Sequence, residues 1–242
     1  MSKVIIYAII SVLPLILGSI LGSYFQVKEK IIGVISAFGA GAMIAALTFG
    51  LMEESFRLGG LDNSIIGFII GGLLFVIGDL IIIKVGGRGY KRVYDVESST
   101  GWGIVLGAVL DGIPESIALG ISLILNPTIG LLVLVAIFLN NLPEAISSAY
   151  DLKKSGKSIK KIMLTWLLVA ATVFIFVILG NTLFANVSAN LTATFQALAA
   201  GAILAMLAST MMPEAYRESG NDASLATVAG FLVIFILSKA GV

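Results

Sequence analysis

The chain of 242 residues contains no cysteine and no histidine, and only 12% of its residues are charged. Without cysteine there are no disulfides or thiolate metal ligands, and without histidine there is no imidazole to relay protons or bind a borderline metal. Soluble domains carry about 25% charged residues, whereas this chain is 58% hydrophobic with a mean hydropathy of +1.07. The composition predicts a polytopic membrane protein. A net charge of +1 gives no reason to expect a nucleic-acid partner.

Eight apolar stretches are each long enough to cross a bilayer as a helix, which takes about 20 residues. They cover residues 4–25, 31–54, 64–84, 101–125, 128–150, 160–180, 190–213 and 223–240. The first stretch is too long for the core of a signal peptide, so we interpret it as a span. Together the stretches nearly exhaust the chain, and we expect one all-α membrane domain over residues 1–242.

Basic residues fall mainly in alternate connections between the spans. Those connections hold twelve of them, which are Lys28, Lys30, Lys84, Arg88, Lys91, Arg92, Lys153, Lys154, Lys157, Lys160, Lys161 and Arg217. The opposite side holds three, which are Lys3, Arg57 and Lys239. Since cytoplasmic loops are enriched in lysine and arginine, we expect a multi-pass protein of the cell membrane with both termini extracytoplasmic.

A seven-residue motif with a proline and a glutamate occurs twice. The segment 111–117, with sequence DGIPESI, recurs 29 positions later as NNLPEAI at 140–146. A charged side chain inside a membrane is costly unless it is paired, hydrated or bound to an ion. Because proline has no N–H to donate, Pro114 and Pro143 also leave the carbonyls of Leu110 and Leu139 without their usual helical partners. The two motifs therefore indicate a cation site.

A second repeat relates residues 39–60 to residues 199–220 at an offset of 160, with nine identical positions and no gap. The predicted topology makes span 2 run outward and span 7 run inward, and related helices of opposite direction are typical of inverted repeats. We therefore expect eight transmembrane helices in a 3+2+3 arrangement. Spans 4 and 5 would face each other near the midplane, where secondary transporters bind their substrates.

Spacing within the two motifs places the polar residues on shared helix faces, because Asp111 and Glu115 are four residues apart, as are Asn140 and Glu144. Antiparallel packing of these faces would gather three carboxylates and one or two amides. Such a cluster must hold cations or protons, and its oxygen ligands suit Mg²⁺, Ca²⁺, Mn²⁺ and Fe²⁺. For the neighbouring amide, Asn141, a purely structural role is an equal alternative. Met43 in span 2 is a candidate thioether ligand.

These residues resemble the ZIP (zinc/iron-regulated transporter-like protein) family of divalent-metal transporters over nearly the whole chain. The resemblance rests on the eight-span layout and on the Pro-Glu ending of both motifs, with Pro114, Glu115, Pro143 and Glu144 matching. It implies a transport site formed by Met43, Asp111, Glu115, Asn140 and Glu144, with Asn141 as the remnant of a second metal position. Asp111 and Gly112 depart from the His-Asn that usually begins the span 4 motif. Zinc, iron and manganese are therefore all candidate substrates.

The resulting prediction is transport of a divalent transition metal towards the cytoplasm, with no tightly bound cofactor and no enzymatic activity. Alternatives are a transport-inactive relative that senses metal or acts as a scaffold, and an intramembrane aspartyl protease. The second needs a Gly-x-Gly-Asp motif, and the closest approach, at 76–79, lacks the first glycine. The partners expected are the metal cation and the lipid bilayer. Faces of small residues allow a homodimer but do not require one.

Overall fold

The computed structural model describes residues 2–86 and 101–240, and within these ranges it consists of helices without strands. The α-helices are α1 (Ser2–Tyr24), α2 (Glu29–Ala46), α3 (Glu53–Gly86), α4 (Gly101–Leu125), α5 (Pro127–Lys154), α6 (Ile159–Phe184), α7 (Ala189–Met206), α8 (Met212–Ser219) and α9 (Asn221–Ala240). π-Helical turns at Leu47–Met52 and Leu207–Met211 join α2 to α3 and α7 to α8. Arg88, Lys91 and Arg92 of the predicted basic loop lie outside the described residues.

Seven helical stretches among the described residues are long and apolar enough to cross a membrane. Six correspond to the predicted spans 1 and 4 to 8. The seventh, Glu29–Lys84, runs for 56 residues and covers the predicted spans 2 and 3 together. The predicted connection between spans 2 and 3, residues 57–63, falls on the kink of α3 at Gly60, with φ 72° and ψ −173°. This backbone conformation is essentially restricted to glycine, so one residue suffices to redirect the chain.

Irregular backbone recurs at the offset of 160 residues. The two π-helical turns occupy equivalent positions in the repeat, and so do Gly60 and Gly220, both of which have positive φ. Each turn also contains a threonine hydroxyl that donates to a main-chain carbonyl at 2.7 Å, from Thr48 to Ile44 and from Thr210 to Met206. Such side-chain bonds offer an alternative partner where a π-turn disturbs the regular ladder. The two repeats therefore share local distortions as well as sequence.

Glycines bring the backbones of two helix pairs, α2 with α9 and α3 with α7, into direct contact. At four glycines, an added Cβ would lie 1.9 or 2.0 Å from a carbonyl oxygen of the facing helix. The glycines and the residues whose carbonyls they face are Gly41 and Thr227, Gly230 and Phe38, Gly71 and Leu198, and Gly201 and Phe68. Only glycine permits this approach, since any side chain would force the helices apart.

A second group of helices consists of α1, α4, α5 and α6. Gly22 of α1 faces the Ile146 carbonyl of α5, and Gly120 of α4 faces the Val177 carbonyl of α6, again too closely for a Cβ. Trp166 of α6 is fully buried among residues of α1, α4 and α5. The largest apolar core lies where α2, α4, α5 and α7 meet, and the polar residues of α4 and α5 are embedded there.

Candidate metal site

The two motif helices remain helical through their prolines, because α4 contains Pro114 and α5 contains Pro143 as internal residues. The Leu139 carbonyl receives no helical hydrogen bond from Pro143, because proline has no N–H to donate. This carbonyl faces Gly39 of α2. A Cβ at Gly39 would lie 2.7 Å from the Leu139 oxygen and 3.1 Å from the Asn140 Cα. Glycine at this position therefore lets α2 reach the backbone of α5 at the predicted site.

Glu115 and Asn140 meet at the contact between α4 and α5. Both side chains are 1% exposed, and the Asn140 Nδ2 donates a hydrogen bond of 2.8 Å to the Glu115 Oε1. Hydrogen bonds to an ionised group are about twice as strong as neutral ones. The Asn140 Oδ1 is also buried, and within residues 2–86 and 101–240 it has no hydrogen-bond partner. The pair thus presents carboxylate and amide oxygens in one protected place, as a hard cation requires.

Asp111 and Glu144 flank this pair and are partly exposed. Glu144 interacts electrostatically with Asp111, Glu115 and Glu214, and Glu115 interacts with Asp111. In the part of the chain that the structure describes, however, no three acidic side chains lie close enough to hold one metal ion together. The predicted carboxylates therefore share one electrostatic field in this structure, and Glu115 is in direct contact with the amide of Asn140.

Asn141 and Met43 are both buried beside the pair. Asn141 is 3% exposed, and its Oδ1 receives a long contact of 3.4 Å from the Asn140 Nδ2. Met43 is 1% exposed and lies one helical turn after Gly39 on α2. Because helical side chains lean towards the N-terminus of their helix, the Met43 thioether extends back towards the level at which α2 meets Asn140.

Two features of the surroundings were not predicted from the sequence. Glu214, which is not among the residues predicted for the site, acts electrostatically on Glu144. On the other side of Glu115, the Gln196 Nε2 of α7 donates a hydrogen bond of 2.9 Å to the Ser122 Oγ of α4. The available signal was the spacing of Ser122, which is seven residues after Glu115 and therefore on the same helix face.

Comparison with known proteins bears on this arrangement. The model of the family described as ZIP Zinc transporter matches residues 89–238, which is more than half of the chain and covers α4 to α8 and most of α9. A comparison with curated proteins found no match. The resemblance inferred from the two Pro-Glu motifs is thereby confirmed. With its seven membrane-compatible helical stretches, the chain is a multi-pass membrane protein that belongs to the ZIP zinc transporter family, which implies divalent-metal transport.

Proposed function

We propose that this protein carries a divalent transition metal, namely zinc, iron or manganese, towards the cytoplasm through a site between α4 and α5. The observation that carries the proposal is the buried contact of Glu115 with Asn140, whose amide oxygen has no hydrogen-bond partner among the described residues. A buried carboxylate beside an unsatisfied oxygen is costly in a membrane, and a cation would use both. An apolar substrate would use neither the carboxylate nor the amide oxygen.

The number of membrane crossings is part of the proposal. At 1.5 Å per residue, a straight helix over the 56 residues of Glu29–Lys84 would be about 84 Å long, whereas a bilayer core is about 30 Å thick. A break at Gly60 supports two crossings in that stretch. With the other six stretches this gives eight spans, and the lysine and arginine bias then places both termini outside the cell.

Helix packing supports the 3+2+3 arrangement. α2 packs on α9 as α7 packs on α3, and α1 packs on α5 as α6 packs on α4. Both correspondences match helices of the first part of the chain with helices of the last part, α1 with α6, α2 with α7 and α3 with α9, and they match α4 with α5. A two-fold axis between α4 and α5, with the substrate near the midplane, accounts for both correspondences.

The ligand set proposed is Met43, Asp111, Glu115, Asn140 and Glu144, with Asn141 as either a further ligand or a structural amide. Four of these offer oxygen and one offers sulfur, and no nitrogen of a histidine is present, which favours manganese or iron over zinc. Because like charges in a low-dielectric site oppose one another, the empty site is expected to hold at least one proton, which metal entry displaces. Approach of Asp111 and Glu144 to Glu115 would accompany metal binding.

The test is uptake by liposomes that contain the purified protein, measured in parallel for Zn²⁺, Fe²⁺, Mn²⁺, Co²⁺ and Cd²⁺. Glu115→Gln and Glu144→Gln should reduce uptake to that of protein-free liposomes. Glu53→Gln is the matched control, because Glu53 is an exposed carboxylate away from the motifs, and it should transport like the wild type. Uptake that survives either glutamine substitution in the motifs would refute the proposed site.

Asp111→His tests the choice of metal. It restores the histidine that the family usually has at this position, so uptake of Zn²⁺ should rise relative to that of Mn²⁺. If the wild type binds these metals but transports none of the five, the protein is instead a metal-binding relative without transport activity.

A further inference from the structure

Hydrogen bonds and ion pairs between helices sort the described chain into two bodies. The first body is α1, α4, α5 and α6, joined by bonds of Glu115 with Asn140, of Asn181 with the Gly120 carbonyl, and of Lys153 with the Ser23 carbonyl. The second body is α2, α3, α7, α8 and α9, joined by bonds of Ser55 with the Ala193 carbonyl and of Thr194 with Asn63, and by the ion pair of Lys30 with Asp222. Most of the close glycine contacts described above also lie within one body or the other, whereas Gly39 of α2 meets the Leu139 carbonyl of α5 across the boundary between the bodies.

The seam between the two bodies contains apolar contacts, such as Gly50 of the π-helical turn against Ile129 of α5. It also contains the hydrogen bond from Gln196 of the second body to Ser122 of the first, with a length of 2.9 Å. Both side chains are 0% exposed, and the Gln196 Oε1 has no further hydrogen-bond partner in the described ranges. Separating the two groups within an apolar seam would leave more buried polar atoms unsatisfied, so the bond opposes sliding there.

Ser122 lies on the side of Glu115 that faces the end of α4 near Asn126. Ala118 lies between Glu115 and Ser122 on the same helix face, and Ala118, Ser122 and Gln196 are all completely buried. The positive-inside assignment places this end of α4 outside the cell. In this structure the seam therefore closes the site from the extracellular side.

The counterpart positions on the other side of the site are more open. At the same offsets of 29 and 160 residues, beyond the stretches that repeat in sequence, Ser122 corresponds to Asp151 and Gln196 to Ser36. Asp151 and Ser36 are both partly exposed, as is Glu144. The two ends of the seam thus differ in burial, which is complete at Ser122 and Gln196 and partial at Asp151 and Ser36.

We propose that Gln196 is a positioning residue for transport, whose hydrogen bond to Ser122 holds the two bodies in the arrangement that closes the extracellular side of the site. Opening of that side requires this bond to break. The inference rests on the proposed function for which side of the membrane is extracellular, and its test measures a quantity other than transport.

The chain has no cysteine, so one introduced cysteine is a unique reporter. Ala118→Cys places a thiol between Glu115 and Ser122, and a membrane-impermeant thiol reagent is added outside intact cells. Adding Gln196→Leu should raise the labelling rate about tenfold, which corresponds to a change of about 1.4 kcal/mol in the equilibrium between closed and open arrangements. Ser122→Ala should raise it similarly, and the two together no further than either alone, because both remove one bond.

Thr192→Val is the matched control. Thr192 is a buried polar residue one turn before Gln196, but its hydroxyl donates within α7, to the Ser188 carbonyl at 3.1 Å. It should leave the labelling rate unchanged. An equal increase in this variant would overturn the proposal, since it would indicate general loosening of α7.

Two outcomes separate this inference from the proposed function. If the wild type takes up metal but labelling is unaffected by Gln196→Leu and by Ser122→Ala, the positioning role is refuted and transport stands. If labelling rises as expected but the wild type carries no metal, the role of the hydrogen bond stands and transport is refuted. Faster labelling from the cytoplasmic side alone would also overturn the inference.

Discussion

Gly71 and Gly72 are neighbours on α3 whose surroundings differ, and alanine should have opposite effects at the two positions. An added Cβ at Gly71 would lie 1.9 Å from the Leu198 carbonyl oxygen of α7. At Gly72 the nearest atom, the Gly201 carbonyl oxygen, would be 3.7 Å away, an ordinary contact. The pair therefore tests the backbone contact between α3 and α7 with a built-in control.

The magnitude follows from the required separation of the helices. Carbon and carbonyl oxygen approach to about 3.3 Å, so Gly71→Ala must part α3 and α7 locally by about 1.4 Å. Overpacking of this kind costs about 1–3 kcal/mol, and the separation also disturbs the reciprocal contact of Gly201 with Phe68. Alanine in place of glycine in a helix gains about 1 kcal/mol. We expect a net loss of about 1–2 kcal/mol for Gly71→Ala and a small gain for Gly72→Ala.

Thermal unfolding in detergent, followed by loss of helical circular dichroism, measures both effects. For a chain of this size each kcal/mol shifts Tm by about 2–4 °C, so Gly71→Ala should melt several degrees below the wild type and Gly72→Ala at or above it. The reasoning fails if the two variants melt together, because the helices would then not be in backbone contact at Gly71.

Three further predictions concern the site and the turn. Asn140→Leu removes the hydrogen-bond donor to Glu115, a bond worth about 1.5–3 kcal/mol for a charged acceptor. Calorimetric titration should show that metal affinity falls about tenfold or more at neutral pH and falls less at higher pH. An equal loss of affinity at both pH values would indicate only a missing ligand oxygen. Met43→Ile should weaken binding of Cd²⁺ more than of Mn²⁺, because soft metals prefer sulfur; equal effects in a competition assay would exclude the thioether as a ligand. Gly60→Ala forces a side chain onto backbone with φ 72° and should cost about 1–3 kcal/mol in thermal unfolding; an unchanged Tm would contradict a strained turn.

Sequence reasoning located the helices well because the bilayer fixes how long an apolar stretch must be. α4 and α9 begin and end within a few residues of the predicted spans. It did not predict that the connection between spans 2 and 3 is a kink at Gly60 instead of a loop, because charged residues such as Arg57 look like part of a loop. In the structure Arg57 is bound to Glu54, three residues earlier on the same helix, so the helix continues through the polar segment. Hydropathy alone does not distinguish an exposed helical turn from a loop.

The site was predicted in part, because helical spacing predicts which residues share a face but not how far apart two faces stand. Glu115 and Asn140 meet as the spacing indicated. Asp111 and Glu144 are in electrostatic range of each other, but no three carboxylates form a metal-binding cluster among the described residues. The bond between Gln196 and Ser122 could not be predicted, because a single uncharged polar residue in an apolar helix does not indicate its partner.

The π-helical turn at Leu47–Met52 determines how α2 and α3 respond to deletion of one residue. Such a turn accommodates one residue more than the regular helix, and each residue rotates a helix by about 100°. Because the wider turn absorbs the extra residue, loss of a single codon there would restore an ordinary helix and leave the buried Glu54 and Ser55 on the same face. In this protein a one-residue gap at the π-helical turn therefore preserves the facing of the residues that follow, up to Gly60, whereas the same gap in the regular part of α2 would rotate them by about 100°.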